Sequence, residues 1–261
     1  MTDALACEHR EKLLSADRGL ELGEPVHHTS LWPWFTGAAA VAAGLLIAIP
    51  HLSAVQSQRF ETAVASRMIA LGDGSHVLLA PHSHLEVAGE RLALSGEAYF
   101  DIRHDPSRPL VVTAGGVSIS DIGTRFDMQN LGSRLRVEVA QGSVAVSAAG
   151  LASSLQIEAG HSLTYEASKG HAIVTPVQIA DVGGWRVGRL TYSQSPLAVV
   201  AADLARYAGI TVTADPASGD LQFSGTLTVS NGESAVRDLS QLMGLGLHRD
   251  ARGGYRLGHR S

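Results

Sequence analysis

Alternating apolar and polar positions recur in short bursts between Met68 and about Glu166. Each burst consists of an alternating run, a glycine or proline corner, and a second alternating run, as in RVEVAQGSVAVS. This period is typical of half-buried β-strands, and regular corners indicate either a sandwich or a solenoid-like stack. The pattern therefore predicts a β domain over residues 68–175. The corners are expected at Pro81, Gly96, Gly142 and Gly160.

The apolar positions of these runs predict the core of the β domain. Turn residues separate the strands: GDGS (Gly72–Ser75) is expected to close a hairpin. RHDPSRP (Arg103–Pro109) is expected to be a loop, because two prolines cannot both join a ladder. The predicted core residues are Val77, Leu79, Leu94, Phe100, Val112, Ile119, Phe126, Val137, Val139 and Val146.

The pattern changes in the last third of the chain, where strands alternate with two helical segments. SPLAVVAADLARYAG predicts a helix with Ser195 as its N-cap, and Gly209 is expected to end it. A second helix is expected to begin at Ser230 and Glu233, which have the spacing of a capping box. Residues 176–261 are therefore predicted to form a small α+β domain with the order βαβ-βαββ.

A stretch of nineteen uncharged residues, LWPWFTGAAAVAAGLLIAI (Leu31–Ile49), precedes the β domain. As a helix it would be about 28 Å long, close to the roughly 30 Å core of a bilayer. Trp32 and Trp34 lie at one end, as interface aromatics do. We predict a single transmembrane helix at residues 31–50. A cleaved signal peptide ending near Ala54 and a buried soluble helix are the alternatives.

Polar segments flank the predicted span. Residues 1–30 are predicted to be a short cytoplasmic tail, in which acidic residues outnumber basic ones. Residues 51–67 are predicted to be a linker. The long part of the chain after the span is expected to be exported, since large domains translocate largely regardless of charge.

The composition argues against a disordered or nucleic-acid-binding protein. Hydrophobic residues make up 45% of the chain, charged residues 17%, and the formal net charge is −5. The single cysteine, Cys7, permits no internal disulfide. We therefore predict no direct contact with nucleic acid, and no cofactor.

Two histidines form a candidate metal pair. His82 and His84 are two residues apart in PHSHLE, so on a strand they would share a face and could hold a metal. The spacing supplies no third ligand, and a solvated strand face is the alternative. No metal site is predicted.

Six segments in a fixed order cover roughly residues 68–258. They are LGDGSHVLLAPHSHLEV, LSGEAYFDIRHDPSRPLVV, SDIGTRF, RVEVAQGSVAVS, WRVGRLTYSQSPLAVVAADLARYAGI and FSGTLTV. Together they make the chain similar to the FecR family of membrane-anchored anti-sigma regulators. The resemblance implies a periplasmic β domain followed by a small domain like the signalling domain of secretins and TonB-dependent receptors.

The resemblance also implies a function. The protein is expected to lie in the bacterial inner membrane and to relay a signal from an outer-membrane TonB-dependent receptor to an extracytoplasmic-function sigma factor, for iron or siderophore uptake. FSGTLTV (Phe223–Val229) is a candidate edge strand for receptor binding. The family has a longer cytoplasmic domain than residues 1–30, so we expect weak sigma-factor binding or a need for sequence upstream. The alternative is an envelope scaffold that uses the small domain for secretin-like assembly.

The segment DIGTRF places Gly123 and Thr124 in an apparent strand interior, where glycine is unfavourable. A bulge or a close backbone approach is one explanation. The resemblance implies another, because several family members cut themselves at a Gly-Thr in this motif. The Thr124 hydroxyl would attack the Gly123 carbonyl, and self-cleavage is then the one reaction expected of an otherwise non-enzymatic protein. His104 and Asp121 are candidates, from chain position only, for the proton and oxyanion roles.

Overall fold

Two hydrophobic cores organise the computed structural model, which describes residues 57–121, 123–132, 134–250 and 253–259. These residues belong to one compact unit, Ala54–Ser261. Within this unit, the first core lies among the strands up to residue 176, and the second lies mainly in the residues that follow. We refer to the two parts as the β lobe and the C-terminal lobe.

The predicted tail (residues 1–30) and transmembrane helix (residues 31–50) lie outside the described residues. Within the described part of the chain, no helix is both long and apolar enough to cross a membrane.

The described strands of the β lobe form one hydrogen-bonded sheet of thirteen strands, β1 to β13. The sheet order is β11-β10-β7-β6-β5-β8-β9-β12-β13, with β1 paired to β4, β2 paired to β3, and both β3 and β4 paired to β5. The strands are β1 (Gln58–Glu61), β2 (Arg67–Ala70), β3 (His76–Leu79), β4 (His84–Ala88), β5 (Arg91–Asp101), β6 (Leu110–Ala114), β7 (Val117–Asp121), β8 (Arg125–Leu131), β9 (Arg134–Gln141), β10 (Ser143–Ala148), β11 (Leu155–Glu158), β12 (His161–Glu166) and β13 (His171–Pro176).

Strand β5 joins the two halves of this sheet. Arg91–Ser95 pair with β4, whereas Gly96–Asp101 pair with β8. The change occurs at Gly96, whose φ is +96°, and a Cβ at this position would lie 2.4 Å from Ser83 Oγ and 2.9 Å from Ser83 Cα. The predicted corner at residue 96 is therefore a bend within one strand, and both its backbone angle and its close packing require glycine.

The prediction of a mainly β chain is confirmed, and every predicted core residue is buried in the first core. Neither a sandwich nor a solenoid-like stack is confirmed, since the strands form one sheet that changes partners along β5. Arg103–Pro109 connects β5 to β6 as a loop, as expected. Strand β1 lies within the segment predicted to be a linker (residues 51–67). The sequence did not reveal it, because four residues with one aromatic side chain give too short an alternating pattern to recognise.

The C-terminal lobe has the predicted order βαβ-βαββ. Strand β14 pairs with β16, while β18 pairs with β15 and β17 in a second small sheet. Two short 3-10 helices, Ile179–Asp181 and Gly184–Val187, lead into the lobe. Its elements are β14 (Arg189–Pro196), α1 (Leu197–Ala208), β15 (Val212–Ala214), β16 (Gln222–Thr228), α2 (Gly232–Leu242), β17 (Gly246–Arg249) and β18 (Tyr255–Gly258).

The N-cap of each helix lies one residue after the predicted N-cap. The N-cap of α1 is Pro196 rather than Ser195, because β14 continues to pair with β16 up to this proline. The N-cap of α2 is Asn231 rather than Ser230, and its side-chain oxygen accepts a hydrogen bond from Ser234 N at 3.1 Å. The predicted end of α1 at Gly209 is confirmed, with a φ of +65°.

We expect Gly96→Ala to destabilise the protein by about 1–3 kcal/mol, because the added Cβ meets Ser83 and alanine is strained at positive φ. Gly72→Ala is the control, since a Cβ there has no heavy atom within 4 Å. It should change the free energy of unfolding by no more than about 0.5 kcal/mol. Urea denaturation measures both variants, and equal stabilities would contradict the role given to Gly96.

Candidate functional site

The Gly123–Thr124 bond lies between β7, which ends at Asp121, and β8, which begins at Arg125. The prediction that it lies inside a strand is wrong. Strand β7 pairs with β6 and β10, whereas β8 pairs with β5 and β9, so the chain changes from one half of the sheet to the other here. Gly123 has a φ of +134°, which glycine adopts more readily than other residues.

Thr124 is held firmly by its neighbours. It is 3% exposed, and its carbonyl oxygen accepts a hydrogen bond from Ile102 N at 2.9 Å. Gly142, which directly follows β9, packs against Thr124. A Cβ at residue 142 would lie 2.7 Å from Thr124 Cγ2 and 3.2 Å from the carbonyl oxygen of Gly123. The bond is therefore enclosed by backbone on the Gly142 side.

His104 lies on another side of the bond. A Cβ on Gly123 would be 2.4 Å from His104 Cα and 2.6 Å from His104 Nδ1, so only glycine fits. The loop that carries His104 is ordered by Asp105, whose side chain accepts hydrogen bonds from the backbone and hydroxyl of Ser107. These hydrogen bonds lower the pKa of Asp105. The structure thus brings together His104, Gly123 and Thr124.

This arrangement explains on structural grounds why residue 123 is a glycine. Cleavage of the Gly123–Thr124 bond stays a prediction. The close approach of His104 accounts for a glycine without any chemistry. Gly142 also packs against both the Thr124 side chain and the Gly123 carbonyl oxygen. These two groups are adjacent in the chain, and such proximity is what an intramolecular attack requires. Asp121, the second candidate, is the last residue of β7.

The candidate metal pair does not share a strand face. His82 has a φ of +53° in the turn before β4, whereas His84 is the first residue of β4. The Nδ1 atom of His84 lies 3.1 Å from Glu61 Oε1. Among the described residues, no group of three or more histidine, cysteine, aspartate or glutamate side chains could hold a metal ion.

A buried polar seam between the lobes is a feature that sequence reasoning missed. Gln129 Nε2 donates hydrogen bonds to Glu97 Oε2 at 2.7 Å and to Asp203 Oδ1 at 3.5 Å. Tyr207 donates to the same Glu97 oxygen, and Tyr192 donates to Asp203 Oδ2 at 3.2 Å. Since Glu97 and Gln129 belong to the β lobe and the others to the C-terminal lobe, these hydrogen bonds join the two lobes.

Aromatic and cationic side chains extend the seam. Trp185 Nε1 donates a hydrogen bond to Asp127 Oδ2 at 2.7 Å, and the Trp185 ring stacks on Tyr207 with centroids 5.8 Å apart. The guanidinium of Arg186 lies 3.5 Å from the ring centroid of Tyr99 on β5. The indole and guanidinium come from the second 3-10 helix, so this short helix is fixed to the β lobe.

The seam holds more carboxylates than nearby arginines can neutralise. Burial raises the pKa of Asp127 well above its ordinary value, and the charges of Glu97 and Glu138 raise it further. Burial likewise raises the pKa of Asp203 to about 6. Arg136 lies among these groups; burial lowers its pKa, but the surrounding carboxylates, Glu138 first, raise it more. Both aspartates therefore keep a proton to a higher pH than an ordinary aspartate does.

The predicted receptor-binding strand is an edge strand. Strand β16 covers Gln222–Thr228, and β14 is its one strand neighbour among the described residues. Phe223 and Leu227 point into the second core, with exposures of 5% and 2%. Among the described residues, the opposite edge of β16 therefore carries no paired strand, as strand addition requires.

Residues 58–145 match the FecR protein family. This part of the β lobe is therefore similar to the FecR family, and the resemblance inferred from the sequence is confirmed for this region. A comparison with curated proteins found no match.

Two crystal structures of a candidate anti-sigma factor from Parabacteroides distasonis share the fold. The structure at 2.50 Å resolution has a TM-score of 0.73 and 18% identity, covering 79% of this chain and 100% of that one. The structure at 1.65 Å has a TM-score of 0.71 and 18% identity, covering 78% and 100%. The β lobe ends at residue 176, about two thirds of the way along the chain. Since the match covers 79% of the chain, it includes part of the C-terminal lobe.

We expect the free energy of unfolding to fall as the pH rises from about 4 to about 6. In this range Asp203 keeps its proton in the folded protein, while the unfolded chain, with an ordinary value of 3.8, has released it. Stability from Asp203 is thus present below about pH 4 and lost as the pH rises through about 6. The shift corresponds to about 3 kcal/mol.

Asp203→Asn should remove this contribution and reduce the slope of unfolding free energy against pH by up to about 1.4 kcal/mol per pH unit. Asp220→Asn, a change at an exposed aspartate of the same lobe, is the control and should keep the wild-type slope. Denaturant titrations at several pH values measure both variants. A wild-type slope in Asp203→Asn would contradict the assignment.

Proposed function

We propose that the protein is a transmembrane anti-sigma regulator that relays a signal from an outer-membrane TonB-dependent receptor to an extracytoplasmic-function sigma factor. The observation that carries this proposal is the FecR-like β lobe joined, through the buried seam, to a βαβ-βαββ lobe with an open strand edge. The shared fold of the Parabacteroides distasonis candidate anti-sigma factor supports the same class. Iron or siderophore uptake is the regulated process that we propose.

The membrane anchor in this proposal is Leu31–Ile49. Its length and lack of charge support a single span, with residues 1–30 in the cytoplasm and the two lobes in the periplasm. The short tail offers a small interface to a sigma factor, so binding by residues 1–30 alone should be weak. A mature N-terminus near residue 55 would replace the anchor by a cleaved signal peptide.

The receptor contact in this proposal is the open edge of β16. Strand addition at an exposed edge supplies main-chain hydrogen bonds, and alternate side chains supply specificity. The seam fixes the C-terminal lobe to β5 and β8, so a partner that pulls on or reorients this lobe acts directly on the strands beside the Gly123–Thr124 bond.

Self-cleavage at Gly123–Thr124 completes the proposed relay. A cut here leaves β1 to β7 in one fragment and β8 to β18 in the other. The pairs β5–β8 and β7–β10 cross the cut, as does the hydrogen bond between Glu97 and Gln129. The fragments are therefore expected to stay associated until a receptor-driven force separates them.

We expect the signalling domain of the cognate TonB-dependent receptor to bind the protein through β16. The double variant Thr226→Lys/Thr228→Lys should weaken binding by about tenfold or more, about 1.4 kcal/mol, because lysines on an edge strand oppose strand addition. Thr213→Lys, on β15 of the other small sheet, is the matched control and should bind like the wild type. Titration calorimetry measures all three proteins.

The receptor and sigma factor for this titration are identified by co-purification of the full chain from membranes. Absence of binding at high micromolar receptor domain would contradict the proposed relay. Co-purification of secretion-complex subunits instead of a receptor would favour the scaffold function.

We expect purified protein to contain a fragment that begins at Thr124. Thr124→Ala should be uncut, whereas Thr124→Ser should still be cut, and these two variants differ only in the hydroxyl. Mass spectrometry identifies the new N-terminus, and gel filtration should show that the fragments elute together until denaturant is added. An uncut wild-type chain after prolonged incubation, with no ester trapped by hydroxylamine, would leave Gly123 a purely structural residue.

A further inference from the structure

His104 lies against the bond at which the chain is proposed to cut itself. A Cβ on Gly123 would be 2.4 Å from His104 Cα, 2.5 Å from His104 Cβ and 2.6 Å from His104 Nδ1. The histidine therefore occupies the face of the Gly123 Cα that a side chain would otherwise fill. One ring nitrogen lies next to the residue whose carbonyl is to be attacked.

Backbone hydrogen bonds of the two residues before the histidine fix its position. Ile102 N donates a hydrogen bond to the carbonyl oxygen of Thr124 at 2.9 Å, which ties the end of β5 to the scissile residue pair. Arg103 N donates a hydrogen bond to Ser75 Oγ at 3.0 Å. His104 follows directly, so its place beside Gly123 does not depend on a free loop.

Burial differs between the two side chains in a way that suits proton transfer. Thr124 is 3% exposed, so its hydroxyl is removed from bulk water, while His104 is exposed. An imidazole at the solvent boundary can exchange protons with water, and water can reach the site from the same side. We infer that His104 is the proton-transfer group of the cleavage, an inference that rests on the self-cleavage proposed above.

The neutral imidazole of His104 takes the hydroxyl proton of Thr124 as Oγ bonds to the carbonyl carbon of Gly123. The carbonyl oxygen carries the negative charge of the tetrahedral intermediate. The imidazolium then gives its proton to the Thr124 nitrogen as the C–N bond breaks, which leaves an ester between Gly123 and Thr124 Oγ and a free amine.

Water completes the reaction. A water molecule adds to the ester carbonyl while His104 accepts its proton, and the same proton passes to Thr124 Oγ as the C–O bond breaks. The products are a carboxyl group on Gly123 and a free amino group and hydroxyl on Thr124. The sum is one water consumed and one peptide bond hydrolysed, with no other reactant.

The test follows the cleavage of the freshly synthesised full chain over time, by the yield of the fragment that begins at Thr124. His104→Ala and His104→Gln should cut about 100-fold more slowly than the wild type, within the range of general acid–base catalysis. His171→Ala, at an exposed histidine of β13, is the matched control and should cut at the wild-type rate. Denaturation curves check that the variants are folded.

Two further readouts separate proton transfer from packing. Added imidazole should restore cleavage in His104→Ala, because the truncation leaves room for it. The pH dependence of the cleavage rate should differ between the wild type and His104→Gln, because only an imidazole exchanges its proton in this step. A merely structural role would give neither result.

Cleavage of His104→Ala at the wild-type rate would overturn the inference while leaving self-cleavage intact. A slowed variant with no rescue and an unchanged pH profile would also overturn it, because the histidine would then act by packing. An uncut wild-type chain would overturn the self-cleavage proposal itself, and this inference with it.

Discussion

The described structure depends on a strand that is buried on both faces. From Gly96 to Phe100, β5 alternates between two environments. Ala98 and Phe100 enter the first core, where Phe100 stacks on Phe126 at 4.7 Å. Glu97 and Tyr99 face the C-terminal lobe. Because a strand's side chains alternate strictly, a slip of one residue would put Glu97 in the first core and remove both contacts at once.

The hydrogen bonds of the seam set the orientation of the C-terminal lobe on β5. A carboxylate without partners in such a place would cost several kcal/mol, so each buried acid here has a hydrogen-bond donor or a proton. Glu97 accepts from Gln129 and Tyr207, and Asp127 accepts from Trp185. An apolar contact would hold the lobes together at many angles. Hydrogen bonds from fixed donors hold them at one, which suits a lobe that has to transmit a displacement.

The Gly123–Thr124 bond lies where the two halves of the sheet meet, close to the same strand. The hydrogen bond from Ile102 N to the Thr124 carbonyl ties the bond to the end of β5. A continuous strand runs from there to Glu97 in the seam. The site of proposed cleavage and the lobe of proposed receptor binding are thus connected through one rigid element, and no loop has to carry the coupling between them.

The local sequence pattern determined much of this protein. Period-two alternation identified the core positions from Val77 to Val146, because burial of one strand face selects apolar residues at every second position. Gly209 identified the end of α1, because the positive φ at that position favours glycine. Tertiary structure decided the rest. Pairing with β16 carried β14 through the expected cap at Ser195. The packing of His104 against Gly123 brings together residues nineteen positions apart. The sequence offered His104 as a candidate from its chain position, but only the folded structure shows that the two residues are in contact. Seam acids such as Glu97 occupy positions that alternation assigns to solvent, and only the second lobe, folded over that face, buries them.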